Sequence, residues 1–224
     1  MTNSQTIKSK KRVADHGEVF TSEREVNAML DLVNNETERI DSRFLEPACG
    51  TGNFLVPILL RKLEIVKKRY SKSQLEFERH AAIAVSSVYG VDILEDNVIH
   101  CRERLLSIFS DMYKKLYKNK CKKNCLEAVS FILCKNILHG DALSLKTVGT
   151  ESHPIVFSEW TLVTGSQIKR RDFSFADILA NESAKVGLFV DSNLNDPNKP
   201  IFISTPVKEF PLCNFLEIQY ENKK

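Results

Sequence analysis

The stretch Phe44-Leu45-Glu46-Pro47-Ala48-Cys49-Gly50-Thr51-Gly52-Asn53-Phe54 constrains this chain more than any other. Phe44 and Leu45 are adjacent rather than alternating, which reads as a short strand over Arg43–Glu46 buried on both faces. The turn Pro47–Gly52 ends that strand. Helical periodicity then resumes with Phe54, Leu55, Ile58, Leu59, Leu63 and Val66. Pro57 falls in the first turn of this helix, where a missing amide costs least. Strand, glycine turn and helix together open a crossover unit, so the flanking sequence is expected to add parallel strands with right-handed connections.

The segments that follow fit that expectation. Val85–Asp92 is a second strand candidate. Asp96 is placed to cap the next helix, whose buried stripe would be Val98, Cys101, Leu105, Ile108, Met112 and Leu116. Phe131–Leu133 with Ile137–Leu138 forms a third strand region ending at Gly140-Asp141. Residues 71–81 are polar and read as a helix end or connection. Upstream, Ser22 can cap a helix carrying Val26, Met29, Leu30 and Val33 at helical spacing. The expected fold class is α/β, a parallel sheet flanked by helices, incomplete within this chain and followed by an irregular extension. The divisions are residues 1–40 (basic arm and N-terminal helix), 41–147 (the sheet domain) and 148–224 (the extension). Short apolar runs in the extension, Ile155–Phe157, Thr161–Val163, Val186–Val190 and Ile201–Ile203, suggest short strands.

Each of the three strand candidates ends in a carboxylate: Glu46, Asp92 and Asp141. In an open α/β sheet, ligands sit outside the carboxyl ends of the strands. Glycines there let a ligand approach the backbone, and the helix N-terminus adds unpaired amides. An acid at the end of the second strand can accept ribose hydroxyls. One such acid would read as a cap or turn residue. Three in register read as a nucleoside site.

Composition sets outer limits. The chain has 224 residues, 42% hydrophobic and 27% charged, with a formal net charge of +3. That suits a globular protein and excludes wholesale disorder. No apolar run approaches ~18 residues, so no membrane span is expected. The start is polar and basic rather than a secretory signal, so a cytoplasmic location with reduced thiols is expected for the six cysteines. Cys121 and Cys125 lack a second ligand pair, so no metal site is expected. Lys8, Lys10, Lys11 and Arg12 cluster in what reads as a flexible basic arm, either a solvated tail or a phosphate-contacting arm. Residues 114–123 hold six lysines in ten positions, which read either as a solvated helix end or as a phosphate-contacting patch.

The glycine turn resembles the first motif of S-adenosylmethionine-dependent methyltransferases. The whole set resembles the adenine-specific DNA methyltransferases of restriction–modification systems. In that family a Phe-Thr-Pro element precedes the glycine motif, and Gly17-Glu18-Val19-Phe20-Thr21-Ser22 is similar to it, with Ser22 where proline is usual. The match covers residues 16–145, in the family's order. The resemblance implies a Rossmann-like methyltransferase sheet with S-adenosylmethionine as cofactor. It implies that Phe20 packs on the cofactor and Thr21 helps bind its methionine end. Glu46 and the turn Ala48, Cys49, Gly50 and Gly52 would hold the amino-acid moiety. Asp92 would take the ribose, Ile93 would lie beside the adenine, and Asp141, followed by Ala142, would bond the adenine amine.

The departure from the family is equally specific. Adenine-modifying members carry a catalytic Asn/Asp/Ser-Pro-Pro-aromatic motif at the end of the fourth strand, and no Pro-Pro pair occurs in this sequence. Ser204-Thr205-Pro206-Val207 is the nearest string, without the second proline or the aromatic. The catalytic residues are therefore unassigned. Trp160 or Phe173 as base-stacking residues, and Glu159 or Asp172 as acceptors, are the candidate substitutes. Three readings follow. The chain is the cofactor-binding part of a DNA adenine methyltransferase that acts on DNA, with the catalytic motif and the target reader on a second polypeptide or lost by truncation. Or it is a non-catalytic regulatory or decoy protein that binds the cofactor. Or it methylates RNA or protein.

Overall fold

The computed structural model describes residue 12, residues 21–180 and residues 205–223. Helix α1 (Glu23–Leu32) starts from Ser22 in a capping box: the Ser22 hydroxyl accepts the Glu25 amide, and the Glu25 carboxylate accepts the Ser22 amide at 3.2 Å. Of its expected stripe only Val26 and Leu30 are buried; Met29 and Val33 stay exposed. A short helical turn, α2 (Asn34–Thr37), leads to strand β1 (Phe44–Glu46). Helix α3 (Leu55–Tyr70) carries the expected periodicity and buries Leu55, Ile58, Leu59, Leu63 and Val66.

Residues 74–86 depart from the polar connection expected over 71–81. They form α4 (Gln74–Ser86), started by the Ser73 side chain, which accepts the Glu76 amide. Phe77, Ala81, Ala82, Ala84 and Val85 are all buried, so this helix is enclosed on most sides and shows little amphipathic pattern. Val85 therefore ends a helix, and strand β2 begins three residues later than expected (Val88–Asp92). Helix α5 (Glu95–Tyr117) includes Asp96 in its first turn rather than as its cap. Its buried line runs through Val98, Cys101 and Leu105 as expected, then through Phe109 and Tyr113 in place of Ile108, Met112 and Leu116. Helix α6 (Lys123–Asn136) absorbs Phe131–Leu133, so strand β3 is Ile137–Asp141 alone. A two-residue strand β4 (Lys146–Thr147) closes this sheet.

The strand order is β1-β2-β3-β4. β1 runs parallel to β2 with Phe44 opposite Val88, β2 runs parallel to β3 with Gly90 opposite Ile137, and β4 is antiparallel to β3. The sheet is thus mixed, and the protein is α/β. Side chains alternate across it. Phe44, Val88 and Ile137 face the helical core, while Leu45, Tyr89, Val91 and Leu138 face a second, smaller core.

That second core is completed by the extension, which is more regular than expected. β5 (Val156–Leu162) and β6 (Gln167–Ser174) form one antiparallel hairpin with Phe157 opposite Phe173 and Glu159 opposite Arg171. Short strands β7 (Lys208–Glu209) and β8 (Cys213–Asn214) add to β6. Ile155, Phe157 and Phe175 cover Tyr89 and Val91. The runs Val186–Val190 and Ile201–Ile203, together with Ser204, lie outside the described residues. Polar groups pin the hairpin down. Asn136 on α6 accepts the Ser158 amide at 3.1 Å, and Arg170 makes a paired contact with Asp172 at 2.8 Å beneath Phe210. No helix among the described residues is long and apolar enough to cross a membrane.

Candidate functional site

The glycine turn lies at the carboxyl end of β1 and is held from three sides. The Cys49 amide donates to the Val91 carbonyl at 2.9 Å, stitching the turn to β2. Gly50 and Gly52 have φ of 52° and 91°, a region that suits glycine. A Cβ on Gly52 would meet Cys101 Sγ at 2.9 Å, so that position combines strain with close packing. Gly90 in β2 is equally hemmed in, since a Cβ there would stand 3.0 Å from Cys49 and Leu55.

Asp92 is the hub. Its Oδ2 accepts the Gly50 amide at 2.8 Å, and its Oδ1 accepts the Leu94 amide at 2.9 Å and the Asn97 side chain at 3.3 Å. The residue is only 8% exposed, so these bonds compensate a largely desolvated carboxylate. A carboxylate offers about four acceptor sites, and three are taken, which leaves room for about one more donor. The Arg12 guanidinium reaches the same corner, donating to Asp96 at 2.8 Å and to Asn97 at 3.2 Å, so this part of the basic arm is docked rather than solvated.

Glu46 and Asp141 stand on either side of Asp92 in the strand order. Burial raises the Glu46 carboxyl above its ordinary value, opposed by the Ala48 amide at 3.4 Å. The Ser144 hydroxyl and the Leu143 amide hold the Asp141 carboxyl below its ordinary value. Asp141 Oδ1 takes that amide at 2.9 Å, an Asx-turn. Ile93 is half exposed, Leu143 is 97% exposed, and Ala142 is partly buried between them and the second core. Exposed apolar side chains therefore flank the acids at this edge. Thr21 adjoins the turn, its carbonyl accepting from the Asn53 side chain at 3.5 Å. Phe20 lies outside the described residues.

Cys49 is buried, and its contact with Cys101, followed by burial, pushes its thiol far above the ordinary range. It is a neutral packing residue and no nucleophile. Cys49, Cys101, Cys121, Cys125 and Cys134 are not in disulfides. Sequence reasoning missed Arg104 on α5. Its Nη1 donates to the Thr51 carbonyl at 2.7 Å, the Thr51 hydroxyl at 3.2 Å and Asn53 Oδ1 at 2.9 Å. No local spacing announces that contact, because it joins positions 51 and 53 residues apart.

The candidate substitutes for a catalytic motif are committed elsewhere. Trp160 is 5% exposed and Phe173 is 9% exposed, so neither ring has a free face for a base. Asp172 pairs with Arg170, and Glu159 pairs with Arg43 at 3.0 Å. A groove of about 1040 Å³ runs beside β1 and β5, lined among others by Arg43, Leu45, Tyr89, Phe157, Trp160 and Leu179. It does not include the glycine turn, Asp92 or Asp141.

The lysine-rich segment spans the end of α5 and the start of α6. Lys122 is bonded to the buried Glu78 at 2.7 Å and Lys123 to Glu127 at 3.1 Å, which leaves Lys114, Lys115, Lys118 and Lys120 as the solvated charges. α5 has 23 residues and begins beside Asp92, so its far end lies about 35 Å from the acids. No protein-family model matches the chain, and no curated protein or solved structure matches it either.

Proposed function

We propose that this chain is the S-adenosylmethionine-binding portion of a DNA adenine methyltransferase of the restriction–modification type, built on a Rossmann-like half-sheet. The observation that carries the reading is the set of three carboxylates at the ends of three adjacent parallel strands, gathered about a glycine turn whose Gly50 amide is bonded to Asp92. This arrangement suits a nucleoside that also carries an amino acid. Asp92 has an acceptor site left for a ribose hydroxyl. Asp141 would accept from an adenine amine, and the exposed Ile93 and Leu143 would offer apolar contact to the ring. Glu46, with its neighbours Ala48 to Gly52, lies where an ammonium group would be received. Phe20 and Thr21 enter on the resemblance of their element to the family's.

Binding the donor does not by itself move a methyl group. The acceptor amine must be held in line with the methyl carbon, and its developing positive charge must meet hydrogen-bond acceptors. A base reached by extrusion also needs a stacking surface. No Pro-Pro-aromatic motif occurs in the sequence, and the alternative acids and rings are buried or paired. On this reading the catalytic motif and the reading of the DNA target lie outside these 224 residues, and a second polypeptide is proposed as their carrier. A labelled methyl-transfer assay on DNA tests this, run with the chain alone and with the product of the adjacent gene. The expected result is transfer only in the mixture. Robust adenine methylation by the chain alone refutes the split. Failure of calorimetry to detect S-adenosylmethionine binding refutes the cofactor.

A further inference from the structure

Arg104 differs from Arg12, Arg61 and Arg43, each of which is paired with an acid: Arg12 with Asp96, Arg61 with Asp31 and Arg43 with Glu159. Arg104 meets only neutral acceptors, the Thr51 carbonyl and hydroxyl and the Asn53 amide oxygen, all through Nη1. Its Nη2 and Nε make no bond to the protein, and no carboxylate lies within 4.0 Å of it, among the described residues. One nitrogen of a planar five-donor fork is thus spent on positioning the cation against the turn, and the rest of the fork is open.

The glycine turn consequently has an acid at its start and a cation over its far side. Glu46 precedes Ala48 to Gly52, and Arg104 covers Thr51 and Asn53. That charge pattern is complementary to an α-amino-acid zwitterion laid along the turn, with its ammonium toward Glu46 and its carboxylate toward Arg104. We propose that Arg104 recognises the α-carboxylate of the bound cofactor and selects ligands that carry it. The inference rests on the S-adenosylmethionine reading above. The guanidinium suits the task because its open N–H groups can meet both oxygens of a carboxylate, while the Nη1 bonds restrain the side chain before the ligand arrives.

Decarboxylated S-adenosylmethionine separates the inference from the reading beneath it, since it keeps the nucleoside, the sulfonium and the amine and loses only the carboxylate. Calorimetry with the two compounds is run on the wild-type chain, Arg104→Gln and Arg104→Lys, with thermal midpoints as the folding check. Wild type is expected to prefer S-adenosylmethionine at least tenfold. Arg104→Gln is expected to reduce that preference below threefold, with affinity for the decarboxylated compound within twofold of wild type. Arg104→Lys, which retains a charge without the fork, is expected to fall between them. It also provides the comparison with wild type should the glutamine variant not fold. Equal weakening of both ligands in the variants makes Arg104 a brace for the turn and overturns the inference, as does an unchanged preference. Wild type binding both ligands equally overturns the inference and leaves the cofactor reading standing. Wild type binding neither removes both.

Discussion

The Gly50 amide donates to Asp92 Oδ2 at 2.8 Å, across 42 positions of sequence. This bond ties the turn after one strand to the acid that ends the next, so the shape of the turn and the placement of Asp92 depend on each other. Asp92→Ala removes the acceptor for two backbone amides at once. The expected cost is about 1.5–3 kcal/mol for each bond to the charged group, reduced where water reaches the amides. S-adenosylmethionine affinity should fall at least a few-fold. Urea unfolding and calorimetry on the same variant check both effects, and an unchanged affinity in a folded Asp92→Ala would remove Asp92 from the site.

Gly52→Ala should destabilise the chain by about 1–3 kcal/mol through its left-handed backbone alone. The contact of the new methyl with Cys101 Sγ adds to this, because Cys101 is fully buried and has no room to yield. Repeating the substitution in a Cys101→Ala background separates the two contributions. The penalty should shrink there without vanishing, as read from the denaturant midpoint. An equal penalty in both backgrounds would mean that the close approach contributes nothing.

Stability should rise with pH from about 7, through Lys62. This side chain is fully buried, and its amine donates to the carbonyls of Ile40 and Ser42 and to the Ser87 hydroxyl. Burial lowers the amine from 10.5 to about 7. Between those values the unfolded chain holds a proton that the folded chain has released, so unfolding becomes harder as pH rises, by up to about 1.4 kcal/mol per pH unit. Burial acts oppositely on the thiol of Cys125 and the phenols of Tyr89 and Tyr113, which are raised. Their stabilisation is lost as pH rises above the ordinary thiol and phenol values. The test is therefore the difference between wild type and Lys62→Met over pH 7 to 9. A slope shared by both proteins would acquit Lys62.

Weak, salt-sensitive DNA binding is expected from Lys114, Lys115, Lys118 and Lys120. Lys118→Glu with Lys120→Glu should reduce binding of a duplex in fluorescence anisotropy. The slope of log affinity against log salt should flatten by about 0.9 for each phosphate no longer neutralised. S-adenosylmethionine affinity should not change, since the patch and the acids lie at opposite ends of α5. Sequence-selective binding by the chain alone would contradict this, because no groove-reading element is apparent.

The parts of the fold legible in the sequence are those with local causes. The β1 turn is marked by its glycines, α3 by its period, and the ends of β2 and β3 by their acids. Helix α4 is hard to read although Phe77, Ala81, Ala84 and Val85 share a face at helical spacing, because that face is mostly alanine and the buried set also takes in Glu78 and Ser86. Phe131–Leu133 looks like strand because a short apolar run has the same appearance in a buried helix. The β5–β6 hairpin is only half visible: Ser158 on β5 ties it to Tyr89 of the sheet and to Asn136 of α6, partners too distant for any window to connect. Among the candidate site residues, the three acids announce themselves by position at the strand ends. Arg104 does not, since its role depends on where a helix places it over a turn.

The second face of the sheet depends on segments made long after it. Tyr89 Oη donates to the carbonyl of Ser158, 69 residues downstream. At about 5–20 residues per second, a ribosome needs about 3–14 s to supply that partner. Through that interval Leu45, Tyr89 and Val91, joined by Leu138 once β3 has been made, await their cover. The hairpin thus governs the timing of folding as well as its outcome. Slow translation between codons 90 and 175 would prolong the exposure and lower the yield of the intact protein, and chaperones that shield emerging chains would be needed most in that window.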